Sequence, residues 1–127
     1  MTVCTKERRP WLATESIHDL LREAWTQASA WLVGRYVIMP DHIHFFASPG
    51  SMDAELVHWL KYWKSHVSGR VDDLTARWQK DYWDTRMRSQ RIYQEKWDYV
   101  RENPVRHGLV EHPDDWPHQG ELQNLPW

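Results

Sequence analysis

Apolar side chains recur at two different spacings along this chain, and the spacings sort it into helices and strands. Ile17, Leu20, Leu21, Ala24, Trp25 and Ala28 follow a helical period and predict a helix from about Ile17 to Ala30, with Ser16 and Asp19 resembling a capping box at its start. Leu56, Trp59, Leu60, Trp63 and Val67 draw the buried stripe of a second helix, which Ser51 can cap and which ends near Gly69. Ile92, Tyr93, Lys96, Trp97 and Val100 share one broad side of a third, from Ser89 to Glu102, stopped by Pro104. Between them lie strand-like runs: Thr2 to Thr5, Arg35 to Met39, His42 to about Ala47, and Asp81 to Met87. Pro40-Asp41 breaks the central apolar stretch, so two antiparallel strands joined there fit better than one bulged strand. The tail from about Glu111 has no period and is expected to be irregular.

The resulting order is β-α-β-β-α-β-α. Its first six elements match the split βαβ, ferredoxin-like pattern, an α+β fold with an antiparallel sheet and two helices on one face. The seventh is an additional C-terminal helix. A chain of 127 residues suits a single domain spanning 1–127. No apolar run is long enough to span a bilayer and no signal peptide opens the chain, so no membrane partner is expected. The lone Cys4 fits a reducing, cytoplasmic setting.

Charge changes this picture only slightly. The net charge is −2, but residues 111–127 hold four acidic side chains and no Lys or Arg, leaving residues 1–110 with 16 basic against 14 acidic groups. That is weakly basic and no nucleic-acid signature by itself. Ten tryptophans suggest a packed core first, and stacking on bases or sugars second.

Candidate chemistry begins at His42-Ile43-His44. Alternation along a strand points both imidazoles to the same face, where they could grip one divalent ion. Two hydrogen-bonded core or sheet-rim histidines explain the spacing equally well. Tyr99 and Asn103, four apart, project from one side of the last helix. The second helix carries His58, Lys61, Lys64 and His66 off its apolar stripe, followed by Arg70, as either a solvated or a phosphate-contacting face.

Taken together, YVIMPDHIHFF, the lysines of LKYWK and YVRENPVRHGLV resemble the REP-associated tyrosine transposases, single-tyrosine HUH transposases of the insertion-sequence type. The resemblance runs from about Met1 to Trp116, more loosely between Trp78 and Arg88. Met1–Thr5 leaves room for a shorter first strand than such proteins have, so the start is expected to be truncated or misassigned.

The resemblance implies cleavage and rejoining of single-stranded or hairpin DNA by a tyrosine nucleophile with a divalent metal, Mg²⁺ or Mn²⁺. It would make Tyr99 the nucleophile and His42 and His44 metal ligands, with Asn103 in the position that adds a third. Lys61, Lys64, Arg70, Arg86, Arg88 and Arg91 are candidates for phosphate contacts, and Trp63 or Trp83 for stacking on bases. Both a monomer and a homodimer fit such a reading. The competing expectations are a non-catalytic ferredoxin-like nucleic-acid-binding module, possibly a domesticated or truncated transposase, and a hydrolase in which water attacks.

Overall fold

A computed structural model describes residues 1–125. Among them, five strands form one antiparallel sheet: β1 (Thr2–Thr5), β2 (Trp31–Ile38), β3 (His42–Pro49), β4 (Trp78–Trp83) and β5 (Gln119–Glu121), in the order β4-β1-β3-β2-β5. The first four strands, with helices α1 (Glu15–Gln27) and α2 (Leu56–Ser68), give the expected ferredoxin-like arrangement. Pro40-Asp41 is the turn between two antiparallel strands, and the histidine strand β3 lies inside the sheet, between β1 and β2.

Each face of β3 feeds a different core. Ile43 and Phe45 point into the larger one, where Trp25 of α1 and Trp59 and Trp63 of α2 pack edge-on and tilted against Phe45 and one another. Trp63 is fully buried, and Trp59 donates its indole N–H to the Ala28 carbonyl at 2.7 Å. Packing therefore claims these tryptophans, as the default reading of the composition had it. On the opposite face Phe46 meets Tyr93 and Trp97 of α3 (Gln90–Arg101), with Leu125 completing a smaller core. The α1 and α2 layer thus covers one face, and α3 crosses the other.

Several boundaries differ from the sequence expectation. Thr14, not Ser16, caps α1, its hydroxyl accepting from the Ile17 N–H at 3.2 Å. The Ser51 hydroxyl accepts from the Asp53 N–H in the preceding turn, and α2 starts later, at Leu56, with no side-chain cap. Strand β4 begins at Trp78 and stops at Trp83, because pairing with Thr2, Val3 and Thr5 fixes its register; Asp84 to Met87 run on as connection. Pro104 ends α3 but sits near the start of a further four-residue turn, α4 (Asn103–Arg106).

The larger correction concerns the tail, which is not irregular throughout. Gln119–Glu121 adds β5 to the free edge of β2, pairing with Arg35–Val37. The strand is anchored by the residues before it and by its own last residue. The Trp116 indole donates to the Ile38 carbonyl at 3.0 Å, the Ile38 N–H donates to the His118 carbonyl at 2.8 Å, and Arg35 pairs with Glu121. A side chain at Gly120 would meet the Tyr36 hydroxyl at 2.8 Å from its Cβ, so only glycine lets the tail lie this close.

That hydroxyl is the centre of a polar cluster at the tail's seam. It lies 2.6 Å from His18 Nε2 and accepts from Arg22 at 2.6 Å, while His118 stacks edge-on against His18. Burial, then the neighbouring His118 and Arg22 charges, holds the His18 imidazole below its ordinary pKa of 6.5, against a weaker upward pull from Asp19. Burial lowers His118 likewise, against a weaker pull from Glu15. An unfolded chain takes up these protons as pH falls through 6.5 while the folded one resists them, so the pair withdraws stability on acidification. Melting curves should shift to lower temperature from pH 6.5 downward, beyond the loss that the buried Met1 amine, lowered from 8.0 to about 6, brings in from pH 8. The shift should shrink when His18 and His118 are both replaced by Gln; an unchanged shift in that variant would remove this assignment.

Candidate active site

His42 and His44, like Phe46 on the same strand, face away from the large core, and α3 and α4 cross this same face. The two rings lie edge to face with centroids 4.8 Å apart. Each is held by its other nitrogen. Asp41 Oδ1 lies 2.7 Å from His42 Nδ1, and Thr2 Oγ1 lies 2.9 Å from His44 Nδ1, across the register that pairs β1 with β3. A carboxylate only accepts, so the Asp41 contact puts the proton on Nδ1 of neutral His42 and leaves a bare lone pair on Nε2. Carboxylate and hydroxyl partners of this kind orient imidazoles that bind metals.

Asp41 is itself anchored by Arg8, whose Nε lies 2.9 Å from Oδ2. Arg8 and Glu7 both occupy the left-handed region, with φ of 53° and 58°, an arrangement that side chains other than glycine adopt at a cost. Burial alone would raise the Asp41 carboxyl, but hydrogen bonds from Arg8 and His42 bring it below its ordinary value. Burial lowers His42 against the pull of Asp41. His44 is pushed down to about 3, by burial first and then by the positive neighbours His42, the N-terminal amine and Arg106. Both rings are therefore neutral at physiological pH, the form in which imidazole binds a metal.

Asn103 is the third group at this place. Because α3 stops at Arg101 and the chain turns into α4, Asn103 is buried beneath the strand with its amide nitrogen 3.5 Å from His42 Nε2. Among the described residues no three His, Cys, Asp or Glu side chains form a metal cluster, so a third protein donor here has to be the amide oxygen. The residues present suit an ion. Two imidazoles sharing one through Nε2, at bonds of ~2.1 Å, place their centroids about 4.5 to 6.5 Å apart. Donors cis to each other on one ion lie roughly 3 to 3.5 Å apart by the same bond lengths. The imidazole spacing falls within the first range, and the Asn103 amide nitrogen, 3.5 Å from His42 Nε2, marks where the amide oxygen would lie with the amide group turned over.

Tyr99 lies on this side too. Its ring is 67% exposed, and together with Thr2, His44, Trp83 and Lys96 it borders a cleft of about 200 Å³. The Arg106 guanidinium sits over the ring, 4.1 Å from its centroid. The phenol is thus neither packed into a core nor turned to the far face of the sheet.

The predicted cationic residues divide. Lys61, Lys64 and Arg70 belong to α2 or its end, across the sheet from the histidines. Lys64 is half-buried, donating to the Gln79 carbonyl at 2.9 Å and lying over the Trp78 ring, and Arg70 donates to the His66 carbonyl. Lys61 is exposed, beside a groove of about 600 Å³ against β4. Arg86 borders a second cleft, of about 560 Å³, that shares Met1, Phe46, Thr85 and Met87 with the tyrosine cleft. Arg88 and Arg91 are exposed at the approach to α3 and on it. Of the two tryptophans, Trp63 is core and Trp83 is 56% exposed at the cleft. Sequence reading missed Asp41, Thr2, Arg8 and Arg106; the first directly precedes the histidine motif, and the others are brought in by register and turns.

Known proteins share this architecture. The family model described as "Transposase IS200 like" matches residues 1–103, a span that includes both histidines, Tyr99 and Asn103. A REP-associated tyrosine transposase of Escherichia coli (strain K12) is 30% identical over 122 residues, covering 91% of this chain and 71% of that protein. A putative REP-associated tyrosine transposase of Haemophilus influenzae is 27% identical over 94 residues, 64% of this chain and 53% of the relative. The solved structure of a REP-associated tyrosine transposase bound to a REP hairpin matches with a TM-score of 0.77 at 24% identity, over 93% of this chain and 72% of that one.

Proposed function

The chain belongs to the IS200-like transposase family and, within it, to the REP-associated tyrosine transposases, and from that premise we propose that it cleaves and rejoins single-stranded DNA at hairpin-forming palindromic repeats. Tyr99 is the nucleophile in this reading. His42, His44 and Asn103 hold a divalent ion, Mg²⁺ or Mn²⁺. What most supports it is the shared cleft of Tyr99 and His44, with the phenol exposed beside a neutral imidazole pair.

When bound, the ion supplies charge that polarises the scissile phosphate and steadies its leaving oxygen. The chain's own groups do the rest. Asp41 and Thr2 keep the imidazoles turned with one nitrogen toward the site. The Tyr99 hydroxyl gives up its proton to solvent water before or as its oxygen attacks. The tyrosine oxygen bonds to phosphorus, the bond to the 3′ oxygen breaks, and that oxygen takes a proton from water. The phosphotyrosine keeps the energy of the broken bond, so a 3′ hydroxyl can reverse the step and join strands. Arg106, held against the Tyr99 ring, places its charge where the attacked phosphate accumulates negative charge.

The assay is incubation of the full chain and Mn²⁺ with end-labelled single-stranded DNA carrying a palindromic hairpin, resolved on denaturing gels. A covalent protein–DNA adduct is expected. Arg106→Ala should slow adduct formation by roughly 100-fold, the scale of losing one charge-stabilising donor. Its melting temperature should stay close to that of the parent, since Arg106 is exposed. Adduct formation at the parent rate would remove Arg106 from the mechanism. Cleavage without any adduct would favour a hydrolase, and binding without cleavage a recognition module.

A further inference from the structure

We propose that Lys96 is a further catalytic residue, its ammonium pairing with a non-bridging oxygen of the phosphate that Tyr99 attacks; the inference rests on the functional reading above. Lys96 breaks the pattern of its helix. Tyr93, Trp97 and Val100, on the same broad side of α3, pack into the smaller core, whereas Lys96 stands among them charged and exposed. It precedes Tyr99 by three residues, close to one turn, so the two side chains are neighbours on the helix surface. Both border the cleft of about 200 Å³ that also holds His44 and Thr2.

Surface lysines are common, and most serve only solvation. The company of this one sets it apart. Among the described residues bordering that cleft, Lys96 is the single Lys or Arg, and the His44 ring beside it is neutral. Among the described residues it also has no ion-pair partner, while Arg8, Arg35 and Arg101 are taken up by Asp41, Glu121 and Asp114. Its charge acts within the cleft. At the Met1 amine, another wall residue, burial lowers the pKa most, Asp84 pulls it up and Lys96 lowers it further. Two cations thus flank the phenol, Arg106 over the ring and Lys96 one turn back along α3. As the Tyr99 oxygen bonds to phosphorus and the 3′ oxygen leaves, negative charge gathers on the non-bridging oxygens. An ammonium beside them therefore holds the transition state more tightly than the bound strand. Lys96 keeps its proton throughout.

The test is the single-turnover rate of adduct formation by the full chain with Mn²⁺ and saturating hairpin DNA, compared among the parent, Lys96→Ala and Lys96→Arg. DNA affinity is measured separately, and each protein is melted. Lys96→Ala should form adduct about 100-fold more slowly at saturation, while its affinity falls far less and its melting temperature stays with the parent. Lys96→Arg, which keeps the charge, should recover most of the loss. A second substrate carries an uncharged methylphosphonate at the bond the parent cleaves. On it the parent and Lys96→Ala should react at similar rates, since no full charge is left for the ammonium to meet. Adduct formation by Lys96→Ala at the parent rate on ordinary DNA, however its affinity changes, would overturn the Lys96 assignment and leave Tyr99 and the histidines in place. A gap that persists undiminished on the methylphosphonate would overturn it too. Early melting of Lys96→Ala, with no recovery in Lys96→Arg, would reduce Lys96 to packing on the cleft wall. No adduct from the parent would sink the functional reading and this inference together.

Discussion

Replacing Tyr99 by phenylalanine should abolish the protein–DNA adduct and lower strand cleavage by roughly 10⁴- to 10⁶-fold, as loss of a nucleophile does. The substitution removes one oxygen from a ring that is 67% exposed, so stability should move by less than ~0.5 kcal/mol. DNA affinity should also persist, because the ring, its Arg106 partner and the imidazole pair all remain. Loss of chemistry with retention of fold and binding is the pattern that separates a nucleophile from a packing residue. The hydrolase alternative predicts the opposite. With water as attacking group, Tyr99→Phe would keep most of its cleavage activity.

Trp63→Ala should destabilise the protein by about 3–5 kcal/mol, the range for truncating a buried aromatic. The indole is fully buried and touches Trp25, Phe45 and Trp78 with centroids 5.6 to 5.8 Å away. Nothing near it can collapse to fill the space, since the neighbours are large rings fixed to different elements. Chemical denaturation of the variant measures the loss directly. Trp83→Ala provides the contrast. At 56% exposure, beside the tyrosine cleft, it should leave stability nearly unchanged while weakening single-stranded DNA binding by ~1–3 kcal/mol, the value of one stacked base. Should Trp63→Ala instead stay stable and lose DNA binding, the assignment of these two tryptophans would have to be exchanged.

The parts of the molecule legible from sequence are those set by local periodicity. Alternation put His42 and His44 on one face. The i, i+4 spacing of Tyr99 and Asn103 assumed one continuous helix, whereas α3 stops at Arg101 and Asn103 opens α4, buried against His42 while Tyr99 stays exposed at the cleft it shares with His44. The break at Pro40-Asp41 likewise gave two strands where there are two. Groups delivered by pairing between distant segments were not legible. Thr2 reaches His44 only because β1 and β3 pair in a particular register, and Arg8 reaches Asp41 through an unusual left-handed turn. The charged side of α2 illustrates a different limit. Spacing tells which residues leave the apolar stripe, but not which face of the sheet the helix covers, and Lys64 turns out to be bonded to β4 across the sheet from the site. β5 escaped notice because three residues carry no period, and its hold on β2 comes from Trp116, His118 and Gly120 acting through backbone contacts.

The central claim is that the Tyr99 oxygen becomes bonded to DNA opposite the histidine pair. Mass spectrometry of the trapped adduct decides it. After exhaustive nuclease and trypsin digestion of the protein incubated with Mn²⁺ and hairpin DNA, the peptide Trp97–Arg101, which contains Tyr99 as its only tyrosine, should carry the mass of a phosphonucleotide. A modified residue at any other position, or cleaved DNA with this peptide unmodified throughout the reaction, would contradict the account.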